Sequence, residues 1–151
     1  MRYITNTMKV KQISVFLENR RGRLAEVTQV LGEHNLNIRA LSLADTSDFG
    51  VLRMIIDYPD KAYMVLKEKH YTVRETEVVA LEVADHPGGL AGVLKILNEN
   101  DINVEYLYAF PERESVDKAI MVFRFDNVDK AIEVLQQHSI NIMEARKVYN
   151  I

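Results

Sequence analysis

The chain repeats itself. The stretch ISVFLENRRGRLAEVTQVLGEHNLNIRAL from Ile13 aligns without a gap with VALEVADHPGGLAGVLKILNENDINVEYL from Val79, an offset of 66 residues. Eight of the 29 paired positions are identical: Gly22/Gly88, Leu24/Leu90, Ala25/Ala91, Val27/Val93, Leu31/Leu97, Glu33/Glu99, Asn37/Asn103 and Leu41/Leu107. Six of the others exchange one branched aliphatic residue for another. The match resumes at an offset of 69, where Asp57-Tyr-Pro-Asp-Lys-Ala62 faces Asp126-Asn-Val-Asp-Lys-Ala131, so the three added residues fall in the loop PERESVD. Whatever the first copy folds into, the second must fold into as well. In a chain of 151 residues each copy is a domain near the lower size limit for independent stability.

Both copies give the same order of elements. Ile13, Val15 and Leu17 alternate onto one face of a strand, as do Val79, Leu81 and Val83. After Gly22 the spacing changes to Leu24, Val27, Leu31, and after Gly88 to Leu90, Val93, Leu97, each one stripe of a helix. Asn37 to Ala44 and Asn103 to Phe110 return to extended patterns, followed by Gly50 to Asp57 and Lys118 to Phe125. Pro59 suits the first turn of a second helix carrying Ala62, Val65 and Leu66, mirrored by Ala131, Val134 and Leu135. Tyr71 to Thr76 and Asn141 to Val148 are expected to close the copies as strands. The order predicts an α+β protein of two ferredoxin-like βαββαβ plaits in tandem, antiparallel sheets with helices on one face. From Tyr71 to Val83 there is no Gly, Pro or Asn, so no linker is expected between domains at 1–76 and 77–151. Residues 1–10 form an N-terminal extension of the first, an extra strand or a loose end.

Composition narrows the chemistry. Nineteen Lys and Arg against 22 Asp and Glu give a net charge of -3, without the basic excess that phosphate-backbone binding requires, so no nucleic-acid partner is expected. The absence of cysteine excludes disulfides, thiolate metal sites and cysteine nucleophiles. The start, MRYITNTMKVKQ, lacks the apolar run of a secretory signal, and no stretch reaches 18 apolar residues. A cytoplasmic protein without a membrane partner is expected. His34, His70, His86 and His138 are scattered over element ends, which argues against a metal site, and no cofactor is implied. Asp85 beside His86 has neither a nucleophile nor a third orienting group, so no catalytic residue is assigned and no enzyme is expected.

The most unusual local sequences are the turns between the first strand and first helix, Glu18-Asn-Arg-Arg-Gly-Arg-Leu24 and Ala84-Asp-His-Pro-Gly-Gly-Leu90. Backbone amides at a helix start form an anion site, and glycine lets a carboxylate approach the main chain. Equally, Asn19 or Asp85 would serve as an ordinary side-chain cap. Asn37 and Asn103 open the second strand of each copy at the same spacing of eighteen from Asn19 and Asp85, a position where asparagine also simply ends a helix or starts a strand.

With its repeated turn and strand-opening asparagine, the chain resembles tandem ACT domains, small amino-acid-sensing modules that are attached to metabolic enzymes or work beside them. The signature of that family, a polar residue, then Arg-Pro-Gly-x-Leu or a near variant, a helix, and Asn-Ile or Asn-Val, is carried by Asn19-Arg-Arg-Gly-Arg-Leu24 with Asn37-Ile38. It recurs as Asp85-His-Pro-Gly-Gly-Leu90 with Asn103-Val104. The resemblance implies ligand-binding residues Asn19, Arg20, Gly22, Arg23, Leu24, Asn37 and Ile38 in the first copy. In the second it implies Asp85, His86, Gly88, Gly89, Leu90, Asn103 and Val104. It also implies that the asparagines of turn and strand meet across a domain interface. Arg21 stands where proline is usual, and Asp85 and His86 replace asparagine and arginine, so unequal sites are expected.

The leading expectation is a non-catalytic regulatory module holding a free amino acid between its two ACT-like domains. The carboxylate would dock on the amides of residues 22–24 or 88–90, and the ammonium on the Asn37, Asn103 or Asp85 oxygens. The regulated enzyme would be encoded separately. The competing reading is a structural or interaction protein that binds a partner enzyme through an open sheet face. If Leu52, Met54, Ile56 and Met121, Phe123, Phe125 face the helices, the other face carries Val51, Ile55, Ile120 and Val122 beside Arg53 and Arg124. That face predicts a homodimer formed sheet to sheet. RNA recognition is the lesser alternative: Phe49-Gly50-Val51 hints at a base-stacking strand, but Thr46-Ser47-Asp48 and Val116-Asp-Lys-Ala119 lack the basic and glycine residues of that motif.

Overall fold

The computed structural model describes residues 7–45 and 48–151. Residues 1–6, where an extra strand or loose end was left open, and Thr46 and Ser47 of the loop weighed for RNA lie outside the described residues. The described residues form six strands and five helices, and the chain divides into two compact units. One is Lys11–Thr76; the other is Glu77–Ile151 together with residues 7–10.

The first unit takes β1 (Val10–Glu18), α1 (Arg23–Glu33), β2 (Ile38–Asp45), β3 (Phe49–Ile56), α2 (Pro59–Glu68) and the first residues of β4 (Thr72–Ala84). The strand order is β2-β3-β1-β4, with Leu17 opposite Gly50 and Glu18 opposite Phe49 in an antiparallel ladder. Ile13, Val15 and Leu17 meet Leu52, Met54 and Ile56 beneath Val27, Leu31, Ala62 and Leu66, so the alternating stripe and the helical stripe close one core. Burial of these side chains is the main stabilising term, about 1.5–3 kcal/mol for each large one.

The second unit repeats the plan with the remainder of β4, α3 (Gly89–Glu99), β5 (Val104–Ala109), β6 (Lys118–Phe125), α4 (Val128–Gln137) and α5 (Ala145–Tyr149). Its order is β4-β6-β5, and its core gathers Val79, Leu81, Val83, Val93, Leu97 and the stacked pair Phe123 and Phe125, 5.6 Å between ring centroids. Lys9 ties the residues before β1 to this unit, 2.7 Å from the Asp129 carboxylate and 3.5 Å from that of Glu77. The Asp129 hydrogen bond, aided by Glu77, holds the Lys9 ammonium above its ordinary value.

The repeat extends to backbone conformation. All four long helices end on a residue with positive φ, namely Asn35, His70, Asp101 and Ser139. The next amide then turns back onto the last helical turn, Leu36 to Leu31, Tyr71 to Leu66, Ile102 to Leu97 and Ile140 to Leu135, at 3.0–3.1 Å.

Two expectations are corrected. Asn141 to Val148 is not a strand: a single bridge joins Ile142 to Leu81, Met143 donates to the Ala80 carbonyl, and α5 begins at Ala145. Glu144, Ala145, Arg146 and Lys147 are helix formers without β-branching, and that local preference prevails there. Second, the sheet face expected to be open is covered in part. Ile55 and Ile120 are fully buried and Val122 is 1% exposed within the single chain, whereas Val51, Arg53 and Arg124 are half-buried. In the second unit Met143 and Val148, which the expected strand would have used differently, are buried as well.

Candidate functional site

Each turn after the first strand is built the same way. The amide of Asn19 donates to the Asp48 carbonyl (3.0 Å) and that of Asp85 to Asp117 (2.8 Å), anchoring the turn to the start of the third strand. Gly22 and Gly88 then take φ of 90° and 84°, the left-handed region that an L side chain enters only at a cost. From that conformation Gly22 accepts from the Glu26 amide (3.0 Å) and Gly88 from Gly92 (2.9 Å), starting the helix.

Neither helix start carries a side-chain cap. For Asp85 the alternative of an ordinary side-chain cap is not realised, its carboxylate pairing with Arg113 instead. The first-turn amides of Leu24 and Ala25, and of Leu90 and Ala91, have no protein acceptor among the described residues. Four donors at two helix starts, with open space beside Gly22 and Gly88, form the partial positive charge that suits a carboxylate.

The other candidates fall as follows. Arg20 turns to Glu18, its Nε 3.1 Å from the carboxylate. Arg23 pairs with Glu26 at 3.1 Å, and its guanidinium carbon lies 5.2 Å from the centroid of the Tyr71 ring. His86 Nδ1 lies 3.0 Å from the Pro87 carbonyl. Gly89 is required by packing: a Cβ there would lie 1.9 Å from the Ala84 carbonyl oxygen. Asn37 and Asn103 open β2 and β5 with exposed side chains, and their main chains are clasped by Asp57 and Asp126. Asn37 N–H donates to the Asp57 carboxylate (3.0 Å) and its carbonyl accepts from the Asp57 amide (3.1 Å); Asn103 and Asp126 repeat both bonds. Ile38 and Val104, the adjoining strand residues, are half-buried. Within one unit the turn and the asparagine are not brought together, because the 11-residue helix between them is about 16 Å long.

Two features went unread in the sequence. Arg113 reaches from the inserted loop to Asp85 at 2.8 Å and also donates to the Val116 carbonyl (3.0 Å), so the carboxylate peculiar to the second turn already has a cation. The three-residue insertion was its signal. The other is a cleft of about 430 Å³ in the first unit, beside the turn, lined by Phe16, Glu18, Arg23, Phe49, His70, Tyr71 and Thr72. Its wall holds two buried polar atoms without a hydrogen-bond partner among the described residues, Arg23 Nε and the Tyr71 hydroxyl. Tyr71 falls short of hydrogen-bond geometry yet lies near enough to Glu26 to be the main influence holding that carboxyl below its ordinary value, with Arg23 adding to it. Burial, above all, pushes the Tyr71 phenol up.

Among the described residues no group of three His, Asp or Glu is placed to hold a metal, and no helix is long and apolar enough to cross a membrane. The family described as an ACT domain pair matches residues 8–151. Among solved structures, protein BT0572 from Bacteroides thetaiotaomicron is 43% identical with a TM-score of 0.90, covering 97% of this chain and 99% of that one. The regulatory subunits of aspartate kinase from Thermus thermophilus, in a ligand-free form, and from Thermus flavus share the fold. They are 14% and 15% identical, with TM-scores of 0.61 and 0.60, and cover 87% and 86% of this chain and 94% and 92% of their own. None of the curated proteins compared matches the chain.

Proposed function

Because the chain belongs to the ACT domain pair family, we propose that it is a non-catalytic regulatory module that binds a free amino acid and acts in the cytoplasm on a separately encoded metabolic enzyme. The observation that carries this reading is the pair of uncapped helix starts, each with glycine at positive φ and two unanswered amides. A carboxylate supplies acceptors for both amides and charge for the dipole; the peptide carbonyls of a partner supply only the first.

The ammonium would meet the side-chain oxygen of Asn37 or Asn103. One unit cannot present both its own turn and its own asparagine to a ligand of that size, so the two halves of a site would come from different ACT units. Asn19, Arg20, Gly22, Arg23 and Leu24 would then form one turn half, and Asp85, His86, Gly88, Gly89 and Leu90 the other. Asn37-Ile38 and Asn103-Val104 would form the strand halves. Asp85 can serve an ammonium only by sharing Arg113, which favours unequal affinities at the two turns. The likeness to aspartate kinase regulatory subunits, though one of fold, is in keeping with a module that controls an enzyme.

Titration calorimetry of the full chain against the twenty amino acids tests this reading. At least one is expected to bind at millimolar concentration or below, and binding is expected to weaken in Gly22→Val or Gly88→Val. If none binds, the reading falls.

A further inference from the structure

The fold does not require an aromatic cleft. Every residue that lines it has a counterpart in the second unit, fixed by the repeat and by the strand registers, in which Glu18 faces Phe49 as Ala84 faces Lys118. Phe16 corresponds to Glu82, Phe49 to Lys118, Tyr71 to Ile140 and Arg23 to Gly89. In the second unit the same place is polar: the Glu82 carboxylate accepts from the Asn141 side chain and from Ser115 Oγ (3.4 Å). In the first unit it is left as space between rings.

The walls differ in what they offer. Phe16 and Phe49 stand on the sheet face opposite the helices, since they alternate with the core residues of β1 and pair with its outward positions. Phe49 is 57% exposed, a large apolar side chain without the burial its chemistry favours. Tyr71 is 8% exposed and belongs to the helix-side core, so its ring closes the end of the cleft. Arg23 lines the cleft and directly follows Gly22, so the cleft adjoins the turn that begins α1. A volume of about 430 Å³ lies in the usual range for small-molecule sites.

We propose that the first unit selects an aromatic amino acid, its carboxylate on the α1 amides beside Arg23 and its ring in the cleft between Phe16, Phe49 and Tyr71. This rests on the amino-acid reading above and names the class of ligand. The ring would bury the exposed face of Phe49, and the polar counterpart cleft of the second unit would refuse it, because Glu82 and Lys118 would lose their hydration to an apolar group.

Calorimetry with phenylalanine and alanine on the full chain, its Phe49→Ala variant and its Lys118→Ala variant tests the proposal. Both substitutions are at exposed positions. Phenylalanine is expected to bind at least about tenfold tighter than alanine, the effect of burying one aromatic side chain. Phe49→Ala is expected to weaken phenylalanine about three- to tenfold and leave alanine unchanged, as loss of one ring contact does. Lys118→Ala is expected to change neither. The proposal is overturned if alanine and phenylalanine bind alike, if Phe49→Ala weakens both equally, or if Lys118→Ala has the larger effect. If serine or another small amino acid binds and no aromatic one does, this inference falls and the amino-acid reading stands. If no amino acid binds, both fall.

Discussion

Replacing Gly89 by alanine is expected to destabilise the second unit, while the same change at Gly32 stabilises the first. At Gly89 the new Cβ would stand 1.9 Å from the Ala84 carbonyl oxygen and 2.9 Å from its carbon. Ordinary contact begins at 3.4 Å, so the start of α3 and the end of β4 must separate by about 1.5 Å, against backbone on both sides. Overpacking of this kind costs about 1–3 kcal/mol. The absence of a rotatable side chain that could yield puts Gly89 at the upper end, and the helix preference of alanine over glycine offsets up to about 1 kcal/mol. A net loss of about 2 kcal/mol corresponds to roughly 4–8 °C in Tm for a chain of this size. At Gly32, inside α1, nothing lies within 4 Å of an added Cβ, so only the propensity gain remains, up to about 1 kcal/mol. Urea unfolding followed by circular dichroism measures both. If the two units unfold in separate transitions, each substitution should move only its own. A Gly89→Ala variant as stable as Gly32→Ala would refute the close approach on which this reasoning stands.

Two further outcomes follow from burial and charge. Val122→Glu, at a position 1% exposed, should lower stability by several kcal/mol through an unpaired buried carboxylate, read as loss of the folded baseline in thermal unfolding; an unchanged Tm would show the face to be open after all. Glu26→Gln should be less stable than the parent at neutral pH, because the folded carboxyl sits below the ordinary 4.5 and so contributes stability above that pH. The difference should close as pH falls through the folded value, and urea midpoints that differ equally at pH 7 and about pH 3 would contradict the assignment.

Most of the architecture was legible because the repeat doubled every signal. A period of two at Ile13, Val15 and Leu17 and a helical stripe at Val27 and Leu31 are weak alone, but their recurrence 66 residues later excludes chance, and burial confirms both stripes. Asp57 and Asp126, conspicuous only as identical letters, proved to clasp the main chain of Asn37 and Asn103. The last segment was misread because local preference and repeat symmetry disagreed: the first copy closes with β4, and the second, from Ala145, follows its helix formers instead. Arg113 beside Asp85 was signalled only by the inserted loop, since 28 residues separate them and the fold brings them within 2.8 Å.

The sequence by itself determined the element order as far as Gln137, the two cores and the glycines that permit positive φ, for these depend on neighbours within a few residues and on apolar periodicity. Even the contrast of Phe16, Phe49 and Tyr71 with Glu82, Lys118 and Ile140 was present in the alignment. Only the tertiary structure made that contrast a cleft, because the three rings come from β1, β3 and the residue before β4, which line one space only once the strands lie side by side. The burial of Ile55, Ile120 and Val122 was likewise decided there: alternation assigns a residue to a face, but whether it meets water depends on what the rest of the chain packs against it.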